Sequence, residues 1–262
     1  SQRPGAILVD GGDSWQGSAT ALWTRGADMV AASTLLGVKV MTGHWEFTLG
    51  AERVMELIQR DMPGSIDFIA HNVFTRDFGD RVFSPFVVRE IAGMEVAIIG
   101  QAYPYTPIAN PQYLIPDWTF GIHEQSLRET IEEVRKLKVA AVVLLSHNGI
   151  DVDLKLAGRV EGLTAILGGH THDALPKPIR VKNHGGETLV ANGGSNGKFL
   201  GVLDLFASRG KTACDYSLLP VFSNLLEPDA EMAALIAQVR QPFEHALGQV
   251  LAVTDDLLYR RG

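Results

Sequence analysis

The chain has 262 residues, of which 46% are hydrophobic and 20% are charged, and its net charge is −7. The hydrophobic fraction excludes a disordered polypeptide. The negative net charge disfavours a protein that binds the phosphates of nucleic acids. The sequence has no apolar run near the roughly 20 residues that a membrane span needs. The length fits one large domain or two small ones. A single cysteine, Cys214, excludes a disulfide framework and cysteine-rich metal sites, so the eight histidines become the candidates for chemistry.

Short runs rich in Val and Ile alternate with amphipathic stretches along most of the chain. The first half is predicted to contain a strand at 6–10, a helix at 28–36, a strand at 38–42, a helix at 51–60, a strand at 67–73 and a hairpin of 86–91 with 95–100. The second half is predicted to contain a helix at 123–138, a strand at 140–146, a helix at 151–158, a strand at 164–167, hairpin turns at 184–186 and 208–210, and a helix at 228–247. Alternating elements followed by hairpins predict an α/β layered domain with a mixed sheet.

Four of these strands are followed by a candidate metal ligand that has glycine nearby in the sequence. Asp13 follows the first strand, His44 the second, His147 the strand at 140–146, and both His170 and His172 the strand at 164–167. Functional groups in α/β sheets gather beyond the carboxyl ends of strands. Imidazoles suit Zn, Fe and Ni, whereas a carboxylate shifts the preference toward Mn and Mg. One such residue alone is usually a helix cap or a core histidine, but the set together predicts a divalent metal site.

The remaining candidates lack this pattern. Asp10 precedes the Gly-Gly turn and is expected to be structural rather than a ligand. Cys214 is expected to have no role in the chemistry. Four histidines are expected to be structural or exposed: His71, His123, His184 and His245.

The chain resembles the calcineurin-like metallophosphoesterases of the 5'-nucleotidase branch, through motifs that occur in the family's order. These are Gly11-Gly12-Asp13, Gly17-Ser18, Gly43-x-x-Glu46-Phe47, Ser146-His147-x-Gly149, Gly168-Gly169-His170-Thr171-His172 and the glycine-rich stretch 194–201. The resemblance implies a four-layer α/β/β/α sandwich that holds two metal ions. It implies that Asp13 bridges them, with His147 and His170 on one ion and His172 on the other.

One motif departs from that branch. Its Gly-Asn-His-Glu-Phe-Asp stretch is here Gly43-His44-Trp45-Glu46-Phe47-Thr48, so His44 occupies the slot of the ligand Asn and Trp45 that of the catalytic His. This replacement, together with the sequence Gly-Gly-His-Thr-His-Asp-Ala-Leu-Pro at 168–176, resembles the SoxB-type thiosulfohydrolases of bacterial sulfur oxidation. The resemblance implies release of sulfate from a cysteine-S-thiosulfonate on a SoxYZ-like sulfur carrier protein in the periplasm, with two Mn²⁺ ions, or Zn or Fe. No nucleic-acid or membrane partner is expected.

The chemistry of the leaving group explains why a Trp can replace the catalytic His. Departure of an alkoxide-like leaving group is accelerated roughly 10²–10⁴-fold by an imidazolium acid. A perthiolate is a much weaker base and needs little protonation, so Trp45 is expected to line the pocket. Glu46 is expected to hydrogen-bond around the ligands rather than coordinate, and Asp173 either orients His172 or caps the next turn. A 5'-nucleotidase-like phosphomonoesterase and an inactive binding module are the alternatives.

The family's opening Asp-x-His motif and its C-terminal substrate domain have no counterpart in the sequence. We therefore expect residues 1–262 to be one catalytic domain, a fragment without the opening strand. One ion would keep Asp13, His44, His147 and His170, and the other only Asp13 and His172. At most one ion at full occupancy, and weak or absent turnover, are expected.

Overall fold

A computed structural model describes residue 3 and residues 5–208 and 211–259 of the chain. The strands are β1 (Leu8–Asp10), β2 (Val38–Met41), β3 (Asp67–Phe68), β4 (Val73–Thr75), β5 (Phe86–Ile91), β6 (Met94–Gln101), β7 (Trp118–Phe120), β8 (Ala141–Ser146), β9 (Ala165–Gly168), β10 (Ile179–Asn183), β11 (Gly186–Asn192), β12 (Phe199–Ser208) and β13 (Lys211–Pro220). The helices are α1 (Ala19–Thr24), α2 (Ala27–Leu36), α3 (Ala51–Glu56), α4 (Thr106–Ala109), α5 (Glu124–Lys136), α6 (Ile150–Arg159), α7 (Ala230–Arg240) and α8 (Glu244–Leu247). Short 3₁₀ turns cover Trp45–Leu49, Gln112–Leu114 and Gln241–Phe243, and a π turn covers Leu57–Asp61.

Two sheets carry the fold. The smaller is parallel, in the order β1-β2-β3, and the larger has six strands in the order β10-β11-β9-β8-β6-β5. In the larger sheet β11, β9, β8 and β6 run parallel, while β10 and β5 pair antiparallel at the two edges. Two further pairs, β12-β13 and β4-β7, are antiparallel ribbons. The parallel strands of each sheet therefore direct their carboxyl ends toward one edge.

Three apolar clusters define the layers. The first packs α2 and α3 against the smaller sheet, as Val30 and Val54 meet Met41. The second packs α5 and α6 against the larger sheet. The third lies between the two sheets, where Val40 meets Val143. Successive strand residues point to opposite faces of a sheet. Each sheet therefore packs one face against a helix layer and its opposite face against the other sheet. The predicted α/β/β/α sandwich is confirmed.

The predicted strand 67–73 is wrong as a single element, because it divides into β3 and β4. β3 ends at Phe68, and residues 69–72 connect it to β4. In this connection the buried Asn72 amide donates to the carbonyls of Ala102 and Gly121 and accepts from the Ala102 amide, all at 2.8 Å. These bonds satisfy the polar side chain and hold the connection in the core.

The predicted helix 228–247 is also wrong as one helix. It begins at α7, where Asp229 caps the Met232 amide at 2.9 Å, and it changes to a 3₁₀ turn at Gln241 before α8. Pro242 explains the break, because it has no N–H to donate to the preceding turn. Helix α1 was not predicted, although Ser18 caps it by accepting from the Ala21 amide at 3.0 Å.

Helix α4 and strand β7 were not predicted either. The other predicted elements lie close to their predicted positions, with boundary shifts of one or two residues. The predicted helix 51–60 is present as α3 followed by the π turn. The strands on either side of the predicted turn at 208–210 pair as expected, although residues 209 and 210 lie outside the described part of the chain. Among the described residues, the helices are too short or too polar to span a bilayer.

Candidate metal centre

Three histidines from two sheets meet at one point. His44 follows β2 of the smaller sheet, and His147 and His170 follow β8 and β9 of the larger one. One ring nitrogen from each lies within 4.8 Å of the others. His44 and His147 are each only 2% exposed, and His170 is half-buried. The strand-end pattern thus brings these three ligand candidates together where the carboxyl edges of the two sheets converge.

Asp13 lies against two of the three rings. Its Oδ1 is 3.4 Å from His44 Nδ1, and its Oδ2 is 3.6 Å from His147 Nε2. Two ligands at about 2.1 Å from a tetrahedral ion stand about 3.4 Å apart, so both separations match ligands that share an ion. Gly12 permits this approach, because a Cβ there would lie 2.9 Å from the Thr42 carbonyl, on the loop that leads to His44.

Ring nitrogens without partners indicate what the cluster accommodates. Both nitrogens of His44, Nε2 of His147 and Nδ1 of His170 are buried and make no hydrogen bond. A buried polar atom left unpaired costs about 1–3 kcal/mol, and native proteins contain few of them. Four in one cluster, beside a carboxylate, are explained by a shared ligand. Nitrogen and oxygen donors of this kind fit a divalent transition-metal ion.

The protonation of the cluster is also favourable for a cation. Burial by itself raises the pKa of Asp13, but His147 and His44 outweigh it and hold that pKa below its ordinary range. Burial, followed by the neighbouring imidazoles of His147 and His44, lowers the pKa of His170 to about 4. Burial alone would lower the pKa of His147, yet Asp13 and the Gly11 carbonyl raise it overall. Near neutral pH the cluster therefore offers an ionised carboxylate and a neutral His170, and metal ligands must be deprotonated.

Hydrogen bonds to the protein orient the ligand candidates. His147 Nδ1 lies 2.7 Å from the Gly11 carbonyl, and donation to that oxygen leaves Nε2 as the free ligand atom facing Asp13. Glu46 is fully buried and accepts from the Ser14 amide at 2.7 Å and from the His44 amide at 2.6 Å. Its carboxylate ties the loop of Asp13 to the loop of His44. Burial raises the pKa of Glu46, against the backbone amides that lower it.

Two aromatic residues form the wall of the cluster. Trp45 is 41% exposed, its ring lies 5.2 Å from that of His44, and its backbone N–H contacts Asp13 Oδ1 at 3.3 Å. The Tyr103 ring lies 4.1 Å from both His44 and His170. Tyr103 was not predicted, although it follows β6 just as the histidines follow their strands. Its position after a strand was the signal that could have identified it.

The other predicted site residues lie outside the group of three. His172 is exposed, and Asp173 accepts from the Gly194 amide at 2.7 Å through its backbone carbonyl. Asp10 accepts from the Gly12 amide at 2.9 Å and the Ser14 hydroxyl at 2.5 Å, and so shapes the turn before Asp13. Of the remaining histidines, His71 is buried among polar partners, and three are exposed: His123, His184 and His245.

Comparisons with known proteins agree with this geometry. No family model matches the chain. The solved structure of sulfate thiohydrolase SoxB from Thermus thermophilus superposes with a TM-score of 0.85 and 36% identity, over 92% of this chain and 43% of that one. The chain belongs to the calcineurin-like phosphoesterase family. A 5'-nucleotidase precursor, also from Thermus thermophilus, superposes with a TM-score of 0.83 and 26% identity, over 94% of this chain and 51% of that one.

The curated relatives lie in the same family. The 5'-nucleotidase of Rattus norvegicus is 25% identical over 282 aligned residues, which cover 100% of this chain and 48% of that protein. The trifunctional nucleotide phosphoesterase protein YfkN of Bacillus subtilis is 28% identical over 65% of this chain. The chain spans about half the length of the 5'-nucleotidases that it matches across its whole extent.

Proposed function

We propose that the chain is the catalytic domain of a metal-dependent thiosulfohydrolase. It would release sulfate from a cysteine-S-thiosulfonate on a SoxYZ-like sulfur carrier protein in the periplasm. The observation that carries the proposal is Trp45, whose exposed indole lies beside His44 and whose backbone N–H donates to Asp13, in the slot that holds a catalytic His in the nucleotidase branch. The similarity to the SoxB structure supports the same reaction.

Four residues would hold the first ion: Asp13, His44, His147 and His170. When bound there, a divalent ion supplies Lewis acidity, which lowers the pKa of water and neutralises charge on the sulfonate oxygens. We propose Mn²⁺, with Zn²⁺ or Fe as alternatives, and His172 with Asp13 as ligands of a second ion. Within the chain itself, Gly11 and Glu46 fix the orientation of these ligands.

The proposed reaction is a hydrolysis at sulfur. The oxygen of water forms a bond to the terminal sulfonate sulfur while the S–S bond breaks. The bonding electron pair leaves with the carrier's perthiolate, the sulfonate becomes sulfate, and protons from water pass to solvent. Because a perthiolate is a weak base, no proton donor is needed on the leaving-group side. The Trp45 indole would offer that side an apolar surface, while the backbone N–H of Trp45 donates to Asp13 Oδ1.

A 5'-nucleotidase-like phosphomonoesterase is the second candidate, because curated 5'-nucleotidases align along the whole chain. Its leaving group is alkoxide-like and benefits from a positioned acid. Trp45 cannot donate such a proton as an imidazolium does. An inactive binding module is the third candidate, and the retained Asp13 with its histidines argues against it.

The test uses the full-length protein that contains this chain, loaded with Mn²⁺ and given either a thiosulfonate-bearing carrier protein or AMP as substrate. We expect sulfate release from the carrier and little phosphate release from AMP. The Trp45→His variant should gain AMP hydrolysis by about 10²-fold, because it restores an imidazole in the acid slot. Trp23→His is the matched control, since Trp23 is also exposed, at 44%, but lies on α1 against Phe243.

The outcomes separate the three candidates. A wild-type protein that is already fast on AMP and inactive on the carrier would be a nucleotidase, and the proposal would fail. A protein that binds metal but turns over neither substrate would be the binding module. An equal gain in AMP hydrolysis from Trp23→His would show that the effect does not depend on the acid slot.

A further inference from the structure

A buried carboxyl group lies directly behind the metal centre, on the first turn of α6. Asp153 is fully buried, and its Oδ1 accepts from the Ser146 hydroxyl at 2.7 Å and from the Asn148 side-chain amide at 3.0 Å. The Ser146 hydroxyl in turn accepts from the Asn148 backbone amide at 3.2 Å. Ser146 and Asn148 flank His147, so one carboxyl fixes the backbone on both sides of a ligand candidate.

The same carboxyl lies against the strand that leads to His170. A Cβ at Gly168 would stand 2.7 Å from Asp153 Oδ2, so glycine is required for the two to approach this closely. Gly168 pairs with Ser146 across the β8-β9 ladder and lies two residues before His170. Asp153 therefore fills the space between the ends of the two strands that deliver His147 and His170.

Fold stability alone does not account for this residue. Its Oδ2 is buried without a hydrogen-bond partner, and burial raises its pKa to about 7. Replacing buried charged groups with apolar residues of similar volume often leaves a protein equally or more stable. A purely structural position would therefore favour an apolar side chain on this buried face of α6.

We infer that Asp153 is a positioning residue, which holds His147 and His170 in their mutual arrangement for the metal through Ser146, Asn148 and the end of β9. It does not touch the ion, the substrate or the ligand rings. The inference rests on the metal centre of the proposed function and assigns the rigidity of that centre to one side chain. Groups bonded directly to ligand side chains usually contribute 10–100-fold in metal affinity, and we assign a loss of that order to Asp153, which acts on the backbone that carries the ligands.

The experiment is a Co²⁺ titration of the 262-residue chain, followed by the visible absorption of the bound ion, whose band positions and intensity report coordination geometry. We expect Asp153→Ala to lose about 10–100-fold in affinity and to change the spectrum. Asp153→Asn should stay within about threefold of wild type, because its Oδ1 still accepts both hydrogen bonds. Ser146→Ala, which deletes one of the two donors, should lose about 5–10-fold and provides the answer if Asp153→Ala does not fold.

Leu156→Ala is the matched control, because Leu156 is buried on the same helix but packs in the apolar cluster away from the ligand loops. It should lower the denaturation midpoint while leaving Co²⁺ affinity and spectrum unchanged. The inference is overturned if Asp153→Ala and Ser146→Ala bind Co²⁺ as wild type does. It is also overturned if Asp153→Asn loses as much as Asp153→Ala, or if Leu156→Ala loses as much as either. A wild-type chain that binds no Co²⁺ would remove the metal centre itself and this inference with it.

Discussion

Buried histidines occur in two regions of this molecule, and they differ in what their nitrogens contact. His71, at the end of β3, is fully buried with both ring nitrogens near polar partners, Gln101 Oε1 at 2.5 Å and the Ser126 hydroxyl at 3.3 Å. His44, which follows β2, is equally buried, yet neither ring nitrogen makes a hydrogen bond, and Asp13 Oδ1 stands 3.4 Å from Nδ1. Both follow strands of the same small sheet. The two histidines are therefore equally buried, and they differ in the hydrogen bonds that their ring nitrogens make.

The largest expected difference between the two regions is in metal binding. His147→Ala should lose about 10²–10³-fold in Co²⁺ affinity, because a binding free energy of about 10–16 kcal/mol shared among four ligands gives roughly 2.5–4 kcal/mol each. His71→Gln should stay within about threefold of wild type. Isothermal titration calorimetry measures both, with the exposed His184→Ala as the control for a general histidine effect. Equal losses at His71 and His147 would erase the distinction between the regions.

The second difference is in the stability of the metal-free protein. His71→Leu leaves the buried Gln101 Oε1 without its imidazole partner, so we expect a loss of about 1–3 kcal/mol. His44→Leu removes two nitrogens that make no hydrogen bond and loses only the 3.4 Å contact with Asp13, so it should change the free energy of unfolding by less than about 1 kcal/mol. Urea denaturation in the presence of a chelator measures both values. A large loss from His44→Leu would mean that its nitrogens have partners in the metal-free protein.

The residues of the metal centre could be predicted from the sequence because one local rule, a position shortly after a strand, identifies them. The rule that functional groups follow strands groups one carboxylate and four imidazoles: Asp13, His44, His147, His170 and His172. The edge geometry of the sheets brings the first four together without further information, whereas His172 is exposed and lies outside the group of three histidines. Asn72 and Asp153 were not anticipated, because their roles depend on which distant loops reach them. Asn72 bonds Ala102 and Gly121, and no spacing in the sequence marks those partners.

The comparison extends to acid stability, through two buried groups whose pKa values shift in opposite directions. Burial lowers the pKa of His71 to about 3, so its contribution to stability is lost as pH falls from about 6.5 toward 3. Burial raises the pKa of Asp153 to about 7, so its contribution is present at low pH and is lost as pH rises from about 4 to 7. Between pH 4.5 and 6 the two contributions should oppose each other.

Single variants should therefore reveal opposite slopes. Relative to wild type, the stability of His71→Gln should improve as pH falls from 6 to 4.5, and that of Asp153→Asn should worsen, each by about 1.4 kcal/mol per pH unit. Urea midpoints at three pH values, with chelator, measure both differences. Slopes of the same sign for the two variants would contradict the assigned protonation states.

The smallest expected effect concerns the aromatic wall of the metal centre. Tyr103 stacks at 4.1 Å against both His44 and His170, whereas no aromatic ring contact to His71 is found among the described residues. Aromatic contacts contribute about 0.5–1.5 kcal/mol beyond area burial, so Tyr103→Leu should weaken Co²⁺ binding by about 2–10-fold. Tyr103→Phe keeps the ring and should bind as wild type does, which separates stacking from the hydroxyl group. A loss in Tyr103→Phe as large as that in Tyr103→Leu would assign the effect to the hydroxyl and would contradict stacking as the cause.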